Sequence, residues 1–241
     1  MRLGFIGTGT IASAVVSGLS GSGHAICVSR RSEARSAALA AAYPEITVAE
    51  NQAVIDASDV VFLGLMADAA PAILRDLRFR PGQRVISFMA GLTLGALAPL
   101  VAPAAASAIM LPFPGIAQGG SPILALGDTT DIDALFGATD TVFALKDEAE
   151  LQAYVCAQAV LSPAVAMVAR AADWIGAQGA DRAAGETFLR TLVGSSLLGS
   201  ECGPMIEALN TPGGYNQRLR QHMERAGMPQ ALWDGLDALN H

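Results

Sequence analysis

Residues 2–12 read Arg-Leu-Gly-Phe-Ile-Gly-Thr-Gly-Thr-Ile-Ala, a short apolar run that breaks into a glycine-rich turn and resumes as a helical pattern. Few folds accept that order. A strand must end, the chain must turn within a few residues, and a helix must pack back closely. Gly7 allows the tight turn, Gly9 lets the backbone approach a pyrophosphate, and Ala12 keeps the helix near the sheet. Thr8, Thr10 and Ile11 complete the loop and the first helical turn, where unpaired backbone N–H groups and the helix dipole favour anionic oxygens. Residues Gly7, Thr8, Gly9, Thr10 and Ile11 are thus predicted to bind the phosphates of a dinucleotide.

About twenty residues further on lies the usual ribose-reading position. There the apolar run Ala25-Ile26-Cys27-Val28 ends in Ser29-Arg30-Arg31-Ser32, without the Asp or Glu that receives a free 2′-hydroxyl. Guanidinium forks match phosphate geometry and keep their charge. Ser29, Arg30 and Arg31 therefore predict NADP in preference to NAD. The competing reading, two arginines that only solvate a loop, is weakened by the glycine turn before them.

At 241 residues, with 52% apolar and 15% charged, the chain can bury a sizeable core and still cover a subunit interface. A net charge of −7 argues against nucleic acid or an anionic membrane as partner. Cys27, Cys156 and Cys202 are too scattered to suggest a metal site, and the first two read as small core residues. Apolar stretches such as 101–109 are too short to span a bilayer. A first strand starting at residue 2 leaves no room for a leader, so a cytoplasmic location is expected.

Strand-like and helix-like segments alternate through about residue 145, with strands expected at 46–48, 59–65, 84–88, 107–111, 123–126 and 141–144. This is the pattern of an α/β fold with a Rossmann-type, doubly wound, mostly parallel sheet. From 147 onward helical periodicity takes over, at 148–160, 164–178 and 181–198, then in shorter helices ending near 239. The expected organisation is a dinucleotide-binding domain, 1–145, and an all-helical dimerisation and substrate domain, 146–241. Apolar residues on more than one helical face predict burial against a second copy.

Thr211-Pro212-Gly213-Gly214-Tyr215-Asn216 separates two helical runs in that half. Such a turn can present several backbone N–H groups to a carboxylate or phosphate, or can be an ordinary connection between helices. Taken with the GxGxxA start, the arginines after the second strand and the helical second half, it resembles pyrroline-5-carboxylate reductase. Asn51 matches an Asn that contacts the cofactor in that family. Ala90-Gly91-Leu92-Thr93 is similar to the family's Ala-Gly-Val-Thr, and Leu65-Met66-Ala67 stands where the family has Val-Lys-Pro. The resemblance adds Asn51, Leu65, Met66 and Ala90 to the cofactor residues. It makes Thr211, Pro212, Gly213, Gly214 and Asn216 the substrate-carboxylate residues, and it implies an intertwined homodimer or higher homo-oligomer.

The departures lie on the substrate side. Met110-Leu111-Pro112-Phe113-Pro114 replaces Met-Pro-Asn-Thr-Pro. Asn216 stands for a threonine, and Ala159-Val160-Leu161-Ser162-Pro163-Ala164 replaces Ser-Gly-Ser-Gly-Pro-Ala. No acid or base stands out as catalytic: Lys146 is the single lysine, and His24, His222 and His241 are scattered. Ketone reduction normally needs such a group, whereas a protonated cyclic imine accepts hydride mainly through proximity and orientation. The expected function is NADPH-dependent reduction of a cyclic imine carboxylate, 1-pyrroline-5-carboxylate to proline by resemblance. The alternatives are a paralogue reducing another imine or carbonyl compound, and an NADP-binding protein without turnover.

Overall fold

The apolar run around Val60 is buried on both faces, as a parallel strand must be when crossover helices cover both sides of its sheet. In the computed structural model, which describes residues 1–30 and 33–240, it is the centre of an eight-stranded sheet. The strands are β1 (Arg2–Ile6), β2 (Ala25–Ser29), β3 (Ile46–Ala49), β4 (Val60–Leu63), β5 (Arg84–Ser87), β6 (Ala105–Pro112), β7 (Pro122–Gly127) and β8 (Thr141–Leu145). Their order is β3-β2-β1-β4-β5-β6-β7-β8. The first six run parallel. β7 pairs antiparallel with β6, because residues 113–121 hold only a short 3₁₀ turn and cannot make a crossover. β8 is parallel to β7.

Helices α1 (Thr10–Leu19), α2 (Glu33–Ala42), α3 (Asn51–Ala57), α4 (Ala70–Leu74), α5 (Leu94–Val101) and α6 (Thr130–Phe136) connect the strands. Alternation along β1 sends Leu3 and Phe5 into one apolar layer with Val15 and Val16 of α1, and Ile6 into the other with Val54 of α3. Gly4 has no room for a side chain: a Cβ there would stand 2.4 Å from Ser58 Oγ and 2.9 Å from Val54. The rings of Phe5 and Phe62 stack at 4.7 Å, and Phe88 lies 5.4 Å from Phe62, below the point where β1 and β4 end.

One buried polar device closes the C-terminal end of α3, whose last carbonyls have no helical partner. Gln83 donates to Ile55 O (2.7 Å) and Ser58 O (2.9 Å), and accepts from Arg80 N at 2.8 Å. The Arg80 guanidinium adds a bond to Asp56 O at 2.8 Å. Gln83→Ala is expected to cost about 2 kcal/mol, since it strips buried carbonyls and an N–H of a partner at once. Urea unfolding measures it, and a change under about 0.5 kcal/mol would show that Arg80 alone suffices.

The chain divides into two compact units, Met1–Leu151 and Gln152–His241. Helices α7 (Glu148–Ala157), α8 (Leu161–Ala177), α9 (Arg182–Gly199), α10 (Cys202–Ala208), α11 (Tyr215–Arg225) and α12 (Met228–Leu239) make up the second half of the chain. The expected break between 160 and 164 does not occur. A 3₁₀ turn joins α7 to α8, and Pro163 falls in the first turn of α8, where a missing N–H costs little. Within the resulting run Glu148–Ala177 an 18-residue stretch has a mean hydropathy of 1.5, and the run has the length of a membrane span, unlike the shorter stretch at 101–109. Length and composition alone do not make it one, since a helix that packs on another protein surface passes the same test.

α8 and α9 approach closely at Gly185, where a Cβ would stand 2.9 Å from Ile175. Arg182 bridges the pair to Asp173 at 2.7 Å, and Asp181 caps α9 by accepting from Ala183 N and Ala184 N. Among the described residues of the second unit, Cys156 and Ala172 alone are buried. Leu198 is 92% exposed, and Leu161, Trp174, Phe188 and Trp233 are also largely open. A groove of about 610 Å³ between α8 and α12 is lined by Val160, Met167, Leu232 and Leu239. For helices this apolar, such exposure is far beyond the scattered surface leucines of an ordinary monomer.

Candidate functional site

β1 lies between β2 and β4, so the chain leaves it toward one side of the sheet and later returns on the other. At such a switch point a crevice opens beyond the carboxyl ends of the strands. Because β1 to β5 are parallel, the loops that follow them leave the same edge. The fold thereby gathers Gly7 to Ile11, Ser29, Arg30, Asn51, Leu65, Met66 and Ala90 there. Arg31 was also expected to bind cofactor; it and Ser32 lie outside the described residues.

Gly7 has φ +93°, and a Cβ on it would stand 2.4 Å from Gly64 O and 3.3 Å from Leu65 Cδ2. Only glycine fits. Gly64 is also close against α1, its missing Cβ standing 3.0 Å from that of Ala12. Gly9 differs: its backbone is ordinary for any residue, and a Cβ there would meet nothing within 4 Å. Glycine at this position leaves an open cradle over the start of α1. Gly9 caps that helix without a side-chain bond, so its first-turn N–H groups face the cradle unclaimed by a cap. The Thr8 hydroxyl is buried and finds no hydrogen-bond partner among the described residues, a local cost of about 1–3 kcal/mol. These features fit a pyrophosphate.

Ser29 is fully buried, and its Oγ accepts from Gly7 N at 2.8 Å, so it holds the glycine turn while its O–H donor is not used by that bond. Arg30 remains at the edge with its side chain largely exposed, and its Nη1 lies 3.3 Å from Glu50 Oε1. Glu50, which the sequence reading did not single out, thereby lies at this edge beside Arg30. Asn51 follows it as the first residue of α3 and is half-buried. Leu65 packs beside Gly7, Met66 and Ala90 are exposed, and a Cβ on Gly91 would stand 3.6 Å from that of Ala67, bringing the loops after β4 and β5 together. Phe113 leaves the end of β6 at this same edge.

His24 and Lys146 are elsewhere. His24 precedes β2, at the opposite edge, where its Nδ1 lies 3.2 Å from the N-terminal amine; burial, with the nearby ammonium, holds its pKa below the ordinary value. Lys146 follows β8, which runs against β6, and so leaves that opposite edge as well.

In the second unit the turn at 211–216 is exposed, apart from half-buried Gly214. Two of its own N–H groups are used within the turn. Gly213, at φ +74°, donates to Gln217 Oε1 at 2.8 Å, and Gly214 donates to Thr211 O at 2.9 Å. The tight turn consumes its own donors. Gly214 caps α11 without a side-chain bond, so the first-turn N–H groups of α11, where Asn216 sits beside Thr211, Pro212, Gly213 and Gly214, are unclaimed by a cap. Arg218, His222 and Arg225 continue along that helix beside Tyr215 around a recess of about 450 Å³.

Strand order, glycine turn and switch-point crevice define the first unit as a Rossmann-type dinucleotide-binding fold, followed by a helical unit. Residues 2–91 match the model of a family described as NADP oxidoreductase, coenzyme F420-dependent. Over its whole length the chain has the fold of pyrroline-5-carboxylate reductases. It is similar to the enzyme of Streptococcus pyogenes with TM-score 0.85 and 22% identity, covering 100% of this chain and 96% of that one. The Coxiella burnetii enzyme gives 0.82 and 17%, covering 99% and 95%. A Plasmodium falciparum pyrroline carboxylate reductase with NADP bound gives 0.81 and 13%, covering 100% and 95%. No curated protein matches the sequence significantly.

Proposed function

We propose that the chain is an NADPH-dependent reductase of a cyclic imine carboxylate, with 1-pyrroline-5-carboxylate as substrate and proline as product. The full-length likeness to reductases of that compound carries the reading, and the open cradle at Gly9 supports it. Residues 1–145 bind the cofactor: the first turn of α1 receives the pyrophosphate, Ser29 fixes the turn, and Arg30 with Arg31 receives the 2′-phosphate. NADPH supplies the hydride that reduces the C=N bond. Residues 146–241 supply the substrate carboxylate site, where the Asn216 amide can donate to an anion. The imine nitrogen of such a substrate can arrive protonated, so orientation replaces a dedicated acid.

The helical unit forms a homodimer in a soluble, cytoplasmic protein, its apolar faces covered by the second copy. Membrane insertion of 148–177 is the competing use of that surface, and extraction behaviour separates the two. Phe113, at the carboxyl edge, favours a second substrate reading. It sets a ring where the resembling family has polar Asn-Thr, so an imine larger or more apolar than pyrroline-5-carboxylate is the alternative.

The deciding assay is NADPH oxidation by the purified chain with pyrroline-5-carboxylate beside its six-membered homologue. Turnover of the first compound upholds the reading; turnover of other imines alone upholds the second. Tight NADPH binding with no turnover of any imine overturns both. Asn216→Ala is expected to raise KM for the carboxylate-bearing imine about tenfold, the loss of one charge-assisted hydrogen bond, with little change in kcat. An unchanged KM removes Asn216 from the site.

A further inference from the structure

We propose that Glu50 sets the choice between the two nicotinamide dinucleotides, an inference that rests on the cofactor assignment above. β2 and β3 are parallel neighbours with Ser29 opposite Ala49. Arg30 and Glu50, the next residue of each, therefore leave the sheet side by side. Arg30 N donates to Ala49 O at 3.1 Å, and the guanidinium Nη1 reaches Glu50 Oε1 at 3.3 Å. The second strand lacks the acid that receives a free 2′-hydroxyl, and the third strand supplies one at the same place. One edge thus carries both an acceptor for a hydroxyl and a cation for a phosphate.

The pair is built to exchange partners. Its side chains are 58% and 76% exposed, so solvent and salt weaken the attraction. A phosphate offers the Arg30 fork a better-matched and more highly charged partner than a carboxylate. Glu50 cannot withdraw far, because its backbone begins α3, with its carbonyl accepting from Val54 N at 3.0 Å. Its charge stays beside whatever Arg30 holds. With a 2′-phosphate it subtracts from the attraction of Arg30, and with a free ribose hydroxyl it accepts a hydrogen bond. The consequence is a site that prefers NADP by a modest margin and still binds NAD.

Calorimetric titration of the full chain with NADP⁺ and with NAD⁺ tests this without turnover, on wild type, Glu50→Gln, Glu50→Ala and Arg30→Gln. Removing a charge a few ångströms from a phosphate in a solvated site is worth about three- to tenfold in affinity. Both Glu50 variants should tighten NADP⁺ by about that factor and weaken NAD⁺. Arg30→Gln should weaken NADP⁺ by about tenfold or more and leave NAD⁺ within about twofold. If wild type binds NADP⁺ and the Glu50 variants leave the ratio of the two affinities unmoved, the inference falls and the cofactor assignment stands. Equal shifts for both dinucleotides overturn it in the same way. A wild type that binds neither dinucleotide overturns both.

Discussion

Gly7→Ala is expected to abolish measurable NADP(H) binding and to lower the melting midpoint by roughly 5–15 °C. Two costs combine. Alanine at φ +93° is strained, and its Cβ would stand 2.4 Å from a backbone carbonyl that cannot move without displacing the end of β4. Together they amount to about 2–5 kcal/mol, and each kcal/mol is worth about 2–4 °C in a domain of this size. Gly9→Ala is the control that isolates function. It has room and an ordinary backbone, so stability should stay within about 1 kcal/mol while the added methyl blocks the close approach of a pyrophosphate. Scanning calorimetry and ligand titration on the two variants separate the effects. Full dinucleotide affinity in Gly9→Ala would refute the cradle.

The second large effect is expected at the helical surface. Phe188 and Leu192 lie one turn apart on α9, and both are more than 40% exposed. If a second copy covers them, Phe188→Asp with Leu192→Asp forfeits about 3–6 kcal/mol of apolar burial and forces carboxylates into an apolar contact. The dimer dissociation constant should rise by at least about a thousandfold, converting dimer to monomer in sedimentation at micromolar concentration. With two buried residues among those described in it, the second unit should then lose helicity while the first remains folded. A double variant that sediments as a dimer would place the interface elsewhere.

Much of the first unit was legible in the sequence because its signals are local. A glycine turn, continuous apolar runs and helical periodicity each depend on neighbours within about one turn or strand. Strands β1 to β8 and the edge that carries Gly7 and Arg30 follow from them, whereas Asn51 and Ala90 were added by the family resemblance. The reversal of β7 was not legible, since it depends on the length of a connection whose end residues gave no turn type. Pro163 was mistaken for a break because a proline in the first turn of a helix looks in sequence like one that ends it. The donors of Gly213 and Gly214 could not be counted before the turn closed on itself.

The role proposed for Glu50 shows the limit most plainly. The end of the second strand carries arginines and no acid. Parallel register brings the residue after β3 beside the residue after β2, so it is as eligible by position. Comparing the ends of paired strands, instead of counting from the glycine turn, is the signal that finds it. Ser29 adds a role that spacing alone did not show: its Oγ accepts from Gly7 N and so ties the end of β2 to the glycine turn.

The uneven placement of aromatic residues gives the two units separate optical signatures. Both tryptophans of the chain, Trp174 and Trp233, belong to the helical unit and are largely solvated. The sheet unit has no tryptophan; its interior aromatics are phenylalanines, Phe5 and Phe62 stacked with Phe88 beside them and Phe79 and Phe136 buried elsewhere. Indole emission therefore reports on the helices alone. Its wavelength should move to the blue as protein is concentrated and a second copy displaces water from the rings, while unfolding of the sheet passes unseen in that channel and must be followed in the far ultraviolet.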